Sequence, residues 1–248
     1  VHLTDTGSGT PLVLLHAFPL DSRMWDSVRD ALSDVVRLIT PDLRGFGRSP
    51  LDGEPSFETV GRDVIDMLDD LGIERAVLGG CSMGGYAAMA AVRAADERVS
   101  GLLLIDTKAT ADTDDARANR LAVAQRAETE GIVPWLADAM LPQLLADQGA
   151  AAQVRALMES QDGAAVAWAQ RAMAARPDSR DTLRFADLDT LVVHGELDKL
   201  MPVAVAEELA ELTGGVLNVL PGLGHLPSIE NPDAFVAAVR PWLARSWG

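Results

Sequence analysis

Residues 80–84 read Gly80-Cys81-Ser82-Met83-Gly84, after the apolar run Val77-Leu78-Gly79 and before a stretch of small residues ending at Ala94. A serine with a glycine two places away on each side, at a strand-to-helix junction, is the pattern of a nucleophile elbow. In such a turn the backbone passes so close to its neighbours that only residues without a Cβ fit beside it. The serine Oγ is then held above the edge of a sheet. The competing reading is a glycine-rich helix start that binds an anion, and the apolar run ahead of the motif weighs against it. Cys81 precedes the apex, where its side chain points away from solvent, so it reads as a small core residue rather than a nucleophile.

A serine hydroxyl is a poor nucleophile near neutral pH. It needs a base within hydrogen-bond reach, and the base needs a carboxylate to orient it. The histidines are His2, His16, His194 and His225. His2 is terminal, and His16 and His194 each close an apolar run that fixes them. His225 lies in Pro221-Gly222-Leu223-Gly224-His225-Leu226-Pro227, a loop able to swing an imidazole over the serine. A carboxylate should follow a strand and precede that histidine. Asp198, in His194-Gly195-Glu196-Leu197-Asp198, meets both conditions. Glu196 and Asp106 are competitors. The oxyanion that forms during acyl transfer needs two backbone N–H groups. Met83, at the head of a helix, offers one. The turn His16-Ala17-Phe18-Pro19 offers the other, assigned to Phe18, because Pro19 has no N–H.

These groups require a frame. Short apolar runs at Pro11–His16, Val35–Thr40, Arg75–Gly79, Leu102–Ile105, Leu191–His194 and Val216–Leu220 read as buried strands. Between them, Phe57–Leu71, Met83–Ala94, Val203–Leu212 and Pro232–Leu243 carry apolar residues at helical spacing. Alternating strands and helices predict an α/β fold with a mostly parallel sheet covered on both faces. The segment 107–184 has no strand pattern and is rich in alanine. It is expected to be a helical lid inserted into a core formed by 1–106 and 185–248, over the sheet edge where open α/β sheets bind ligands. Trp135, Met140, Leu144 and Trp168 in that segment are candidates for the wall of an apolar pocket, with Met158 and Met173 nearby.

Composition bounds the partners. The chain has 248 residues and a formal net charge of −16, from 21 basic and 37 acidic residues. Nucleic acid and anionic membranes would be repelled. No apolar run approaches the ~20 residues that span a bilayer, and the N-terminus lacks the pattern of a signal peptide. It also lacks an initiator Met, which points to processing or trimming. A single cysteine fits a cytoplasmic protein without disulfides. No cluster has zinc spacing, and the glycines around Ser82 lack the lysine of a phosphate-binding loop, so neither metal nor cofactor is expected. Nothing in the sequence sets the oligomeric state.

Taken together, the motifs resemble the α/β-hydrolase fold family along essentially the whole chain. His16-Ala17-Phe18-Pro19 is similar to its His-Gly-x-Pro turn. Asp42-Leu43-Arg44-Gly45-Phe46-Gly47-Arg48-Ser49 is similar to its Asp-x-Arg-Gly-x-Gly-x-Ser loop. Gly80–Gly84 is similar to its elbow, and Ser82, Asp198 and His225 follow its order of nucleophile, acid and base. The resemblance implies a cofactor-free serine hydrolase of a small ester or lactone, nearest to small esterases and enol-lactone hydrolases. Alternatives within the fold are a ligand-binding or receptor-like protein, a perhydrolase, a carbon–carbon bond hydrolase or a lyase. Relatives with haloalkane dehalogenase or epoxide hydrolase chemistry need a carboxylate nucleophile, which position 82 is not. Ala17 replaces the family's usual Gly. The chain also begins at what should be the family's second strand, which implies that the first antiparallel edge strand is missing.

Overall fold

The fold is described here from a computed structural model covering residues 1–247. Its sheet contains β1 (Leu3–Thr6), β2 (Pro11–Leu15), β3 (Arg37–Pro41), β4 (Ala76–Cys81), β5 (Val99–Ile105), β6 (Asp189–Gly195) and β7 (Val216–Leu220). The spatial order is β1-β3-β2-β4-β5-β6-β7. Every neighbouring pair is parallel except β1, which runs antiparallel to β3 with Leu3 opposite Pro41. An antiparallel edge strand is therefore present, which corrects the expectation that it is missing; β1 has one apolar residue in Leu3-Thr4-Asp5-Thr6, so the sequence carries no periodic signal for it. Pro41 ends β3 rather than standing beyond it, and β4 continues through Gly80 and Cys81 to the serine itself.

The helices are α1 (Asp26–Ser33), α2 (Phe57–Asp70), α3 (Met83–Ala94), α4 (Asp114–Glu130), α5 (Trp135–Leu144), α6 (Ala151–Glu159), α7 (Gly163–Ala175), α8 (Arg180–Ala186), α9 (Val203–Thr213), α10 (Pro227–Glu230) and α11 (Pro232–Trp247). α1, α10 and α11 pack together as one layer. α2, α3, α8 and α9 form the other. α2 shows why these residues make a helix. Ser56 caps it by accepting from the Thr59 amide, and Val60, Val64, Met67 and Leu68 bury one stripe. That stripe meets α3 so closely that a Cβ on Gly61 would collide with the Ala90 backbone.

Strand order locates the site. The chain crosses from β2 to β3 on one side, then returns to place β4 on the other side of β2. The two crossovers diverge at the carboxyl ends of β2 and β4, and open α/β sheets bind ligands at such a switch point. Leu15 of β2 pairs with Gly80 of β4 there. The turn carrying Phe18 and the turn carrying Ser82 therefore emerge side by side.

No strand occurs between β5 and β6. Five helices, α4–α8, fill that interval. α4 packs on α7, and α5 on α6, while α8 lies against α3 and α9. No helix among the described residues is long and apolar enough to cross a membrane.

Candidate active site

Ser82 joins β4 to α3 with φ 53° and ψ −111°. A side chain in that region of the backbone map costs about 1–3 kcal/mol and must be held by its surroundings. A Cβ on Gly80 would strike the Gly84 backbone, and one on Gly84 would strike the Leu15 carbonyl. The turn is pinned further by β5. The Ser82 amide donates to the Ile105 carbonyl at 2.9 Å, and the Thr107 hydroxyl donates to the Ser82 carbonyl at 2.8 Å. Cys81 is fully buried, and burial pushes its thiol well up. It is the core residue its position suggests.

His225 comes from the loop between β7 and α10. Its Nδ1 stands 2.7 Å from Asp198 Oδ2. A carboxylate only accepts, so Nδ1 carries the hydrogen and Nε2 is left as the basic nitrogen of the neutral ring. The loop is tied down at several points. The His225 amide donates to the Leu144 carbonyl at 3.0 Å. Glu230 accepts from the Gly224, Leu226 and Ala146 amides, joining the loop to the segment after α5.

Asp198 occupies the loop after β6. Its Oδ1 accepts from the Leu200 amide at 2.8 Å and the Met201 amide at 3.1 Å. Burial alone would raise its pKa. The hydrogen bonds from His225 and the two amides outweigh burial and hold the carboxyl below its ordinary value. The two competitors are occupied elsewhere. Glu196 accepts from the Gly222 amide at 2.9 Å, and Asp106 from the Gly195 amide at 2.8 Å. Asp106 is fully buried, and burial together with the nearby Asp198 charge pushes it well above the usual carboxylate range.

His16 and His194 are bound into the fold by their ring nitrogens. His16 is buried, with Nδ1 3.0 Å from the Ala17 carbonyl, and its Nε2 accepts from the Leu43 amide at 2.9 Å. It locks the β2 turn to the Asp42–Ser49 loop. Asp42 organises that loop by accepting from the Ser22 and Arg48 amides. His194 Nε2 lies 2.9 Å from the Met201 carbonyl. Asp106, His194 and Asp198 offer ligand atoms within 4.8 Å of one another, as a metal site would need. Both Asp198 oxygens and His194 Nε2 are already committed to hydrogen bonds, whereas His194 Nδ1 and Asp106 Oδ2 are buried with no hydrogen-bond partner among the described residues.

Ser82 and His225 open on one cavity of about 410 Å³. They share its wall without bonding to each other: among the described residues no hydrogen bond joins Ser82 Oγ to the imidazole. Phe18, Trp135, Met140 and Leu144 also line it. Trp168 does not. Its indole N–H donates to the Gly53 carbonyl at 2.9 Å, and the ring is buried. The Ala17 amide donates to Met24 Sδ at 3.1 Å, and the next residue, Phe18, lines the cavity. Met83 supplies the first amide of α3, one of those a helix leaves without an internal acceptor.

The cavity also holds residues that sequence reasoning did not single out: Lys108, Asn119, Arg120, Gln170 and Tyr86. The available signal was the spacing of Lys108 and Asp112, four residues apart. It gives no hint that Arg120 and Arg176 join them.

The chain is similar to known proteins along nearly its whole length. The chain resembles a solved structure of a thermophilic esterase from Thermogutta terrifontis, described with malate bound, at 37% identity and a TM-score of 0.95 over 100% of this chain and 94% of that one. It is 30% identical to the pimeloyl-[acyl-carrier protein] methyl ester esterase of Edwardsiella ictaluri, over 92% of this chain and 91% of the relative. It is 26% identical to 3-oxoadipate enol-lactonase 1 of Acinetobacter baylyi, over 95% and 89%. Residues 12–238 match the alpha/beta hydrolase family as a whole. With that span, the strand order and the switch-point cavity, the chain belongs to the alpha/beta hydrolase family.

Proposed function

We propose that this protein is a cofactor-free serine hydrolase that cleaves a small carboxylic ester or lactone through an acyl-enzyme on Ser82. The observation that carries the reading is the 2.7 Å bond from His225 to Asp198, on a ring that shares its cavity with a serine held at positive φ. Relatives named for ester and lactone hydrolysis support the bond type.

In this reading Ser82 Oγ attacks the scissile carbonyl while His225 Nε2 takes the hydroxyl proton. Asp198 keeps the ring in the required tautomer and stabilises the imidazolium. The Phe18 and Met83 amides hold the oxyanion. His225 returns the proton to the leaving alkoxide, and for a lactone the freed alkoxide stays on the same molecule. Water then loses a proton to His225 and attacks the ester carbonyl, releasing the acid and regenerating Ser82. Catalytic hydrogen bonds often tighten only with substrate in place, which accommodates the separation of Ser82 from His225. The segment 107–184 serves as the lid, since α4, α5 and α7 all contribute residues to the cavity wall.

A small fluorophosphonate should label Ser82 promptly, and Ser82→Ala should lower ester turnover by roughly 10⁴–10⁶. A folded Ser82→Ala protein that keeps more than a few per cent of activity overturns the assignment. Absence of labelling, with ligand still bound, points to a receptor-like protein.

A further inference from the structure

The chain carries 37 acidic and 21 basic residues. The wall of its reaction cavity inverts that balance: Lys108 and Arg120 line it and no aspartate or glutamate does. Both cations come from beyond β5, Lys108 from the turn after the strand and Arg120 from α4.

Their charges are not cancelled locally. Lys108 Nζ lies 3.2 Å from Asp112 Oδ1, and Arg120 Nε donates to Asp112 Oδ2. Arg176, buried behind them, donates to the same carboxylate at 2.9 Å and also to the Met173 and Thr110 carbonyls. Burial would raise Asp112, but the two guanidiniums hold it well below its ordinary value, so it stays ionised. Three cations thus face one carboxylate, a surplus of two positive charges. Arg176 and Asp112 are spent on each other and on backbone. Arg120 Nη1 donates to Gln170 Oε1 at 3.1 Å, while its Nη2 has no hydrogen-bond partner among the described residues. Tyr86 lines the same cavity, and its buried hydroxyl has no partner either. The rest of the wall is largely apolar, a setting in which unscreened charge acts strongly.

We propose that Lys108 and Arg120 form an anion subsite, and that the natural substrate is an ester or lactone bearing a second, ionised carboxylate. The bond cleaved is taken from the serine-hydrolase reading above; the anion subsite is additional to it. An ionised carboxylate takes up the donors that Asp112 leaves free, and a guanidinium edge suits its geometry. A neutral ester of equal length would leave those donors unpaired in the cavity, which costs binding.

The test compares monomethyl adipate with methyl hexanoate, and the neighbouring chain lengths in each series, by acid release at constant pH. Wild-type kcat/KM should favour the half-ester by about ten-fold or more at the best length, and added salt should erode that preference. Lys108→Met and Arg120→Met should each cut the half-ester to methyl-ester ratio by about ten-fold. Lys108→Met leaves Asp112 paired with both arginines, so it serves if the Arg120 variant fails to fold. Calorimetry with adipate itself reads the subsite without turnover: binding to wild type should be lost in Lys108→Met. If Ser82 resists the fluorophosphonate but adipate still binds through Lys108, the hydrolase reading fails and the anion subsite stands. Preference for the neutral ester at every length overturns the subsite. So does a ratio unchanged in both variants, or adipate binding that ignores Lys108; the cluster is then structural alone.

Discussion

Asp198 divides its carboxylate between two jobs: Oδ1 takes the Leu200 and Met201 amides, and Oδ2 holds His225 Nδ1 at 2.7 Å. The amides fix the carboxylate, and the fixed carboxylate fixes the ring. Asp198→Asn should therefore lower kcat by roughly 10³–10⁴ through the wrong tautomer. Glu196→Gln and Asp106→Asn should stay within a few-fold of wild type, because their carboxyls bond backbone amides at Gly222 and Gly195. A crippled Asp106→Asn enzyme beside an active Asp198→Asn enzyme would move the acid to β5.

Asp106 gives a stability test with a definite sign. Its folded pKa lies above the unfolded one, so the folded state holds a proton that the unfolded state gives up from about pH 4 upward. Stability from this group is greatest below that pH and declines as pH rises, at up to about 1.4 kcal/mol per unit. Asparagine mimics the neutral acid and removes the slope. Denaturation of Asp106→Asn and wild type between pH 4 and 8 should show the variant gaining relative stability with pH. Parallel curves would mean that Asp106 is ionised in the fold.

Asp112 runs the other way. Its carboxyl is held below its ordinary value, so its stabilisation is complete above about pH 4, the unfolded carboxylate range, and is lost as pH falls further. Asp112→Asn should cost about 3–5 kcal/mol, because it leaves buried Arg176 with its two cationic neighbours and no counter-charge. The variant should also lack the wild-type loss of thermal stability between pH 4 and 2.5 that this group contributes. A change below 1 kcal/mol at pH 7 would refute the burial argument.

Gly84→Ala tests the elbow itself. The added methyl collides with the Leu15 carbonyl, a backbone atom of a central strand that cannot step aside. A cost of about 3 kcal/mol or more is expected, which lowers the Tm by roughly 6–12 °C for a domain of this size. A variant melting with wild type would show that the turn has slack.

Met140 and Trp168 separate pocket from packing. Met140 lines the cavity, so Met140→Ala should shift the ratio between short and long acyl esters by roughly ten-fold. Trp168→Ala should leave that ratio alone. Its cost should fall on stability instead, by about 3–5 kcal/mol, since the buried indole bridges α7 to Gly53. Reversed outcomes would put Trp168 in the pocket and Met140 outside it.

What the sequence determined by itself is what short stretches of chain enforce. Gly80 and Gly84 flank Ser82 because one tight turn excludes Cβ atoms, and that constraint is written within five residues. The strands β2–β7 and the helices α2, α3, α9 and α11 follow from hydrophobic period, again a local property. β1 escaped because its pairing with Pro41 and Thr40 comes from across the sheet rather than from its own four residues. The tertiary structure alone decided which way side chains of the inserted helices face. Trp135 and Trp168 look alike in sequence, but only Trp135 reaches the cavity, since helix packing and a bond to Gly53 turn the other away. Asp198 was legible as the carboxylate that follows a strand and precedes His225; its 2.7 Å bond to His225 Nδ1 required the loops after β6 and β7 to be brought to one sheet edge. The charge surplus at Lys108 and Arg120 depends on Arg176, 56 positions beyond Arg120 in the numbering, arriving at the same buried carboxylate. Distances of that kind are set by chain closure and packing, and no window of sequence contains them.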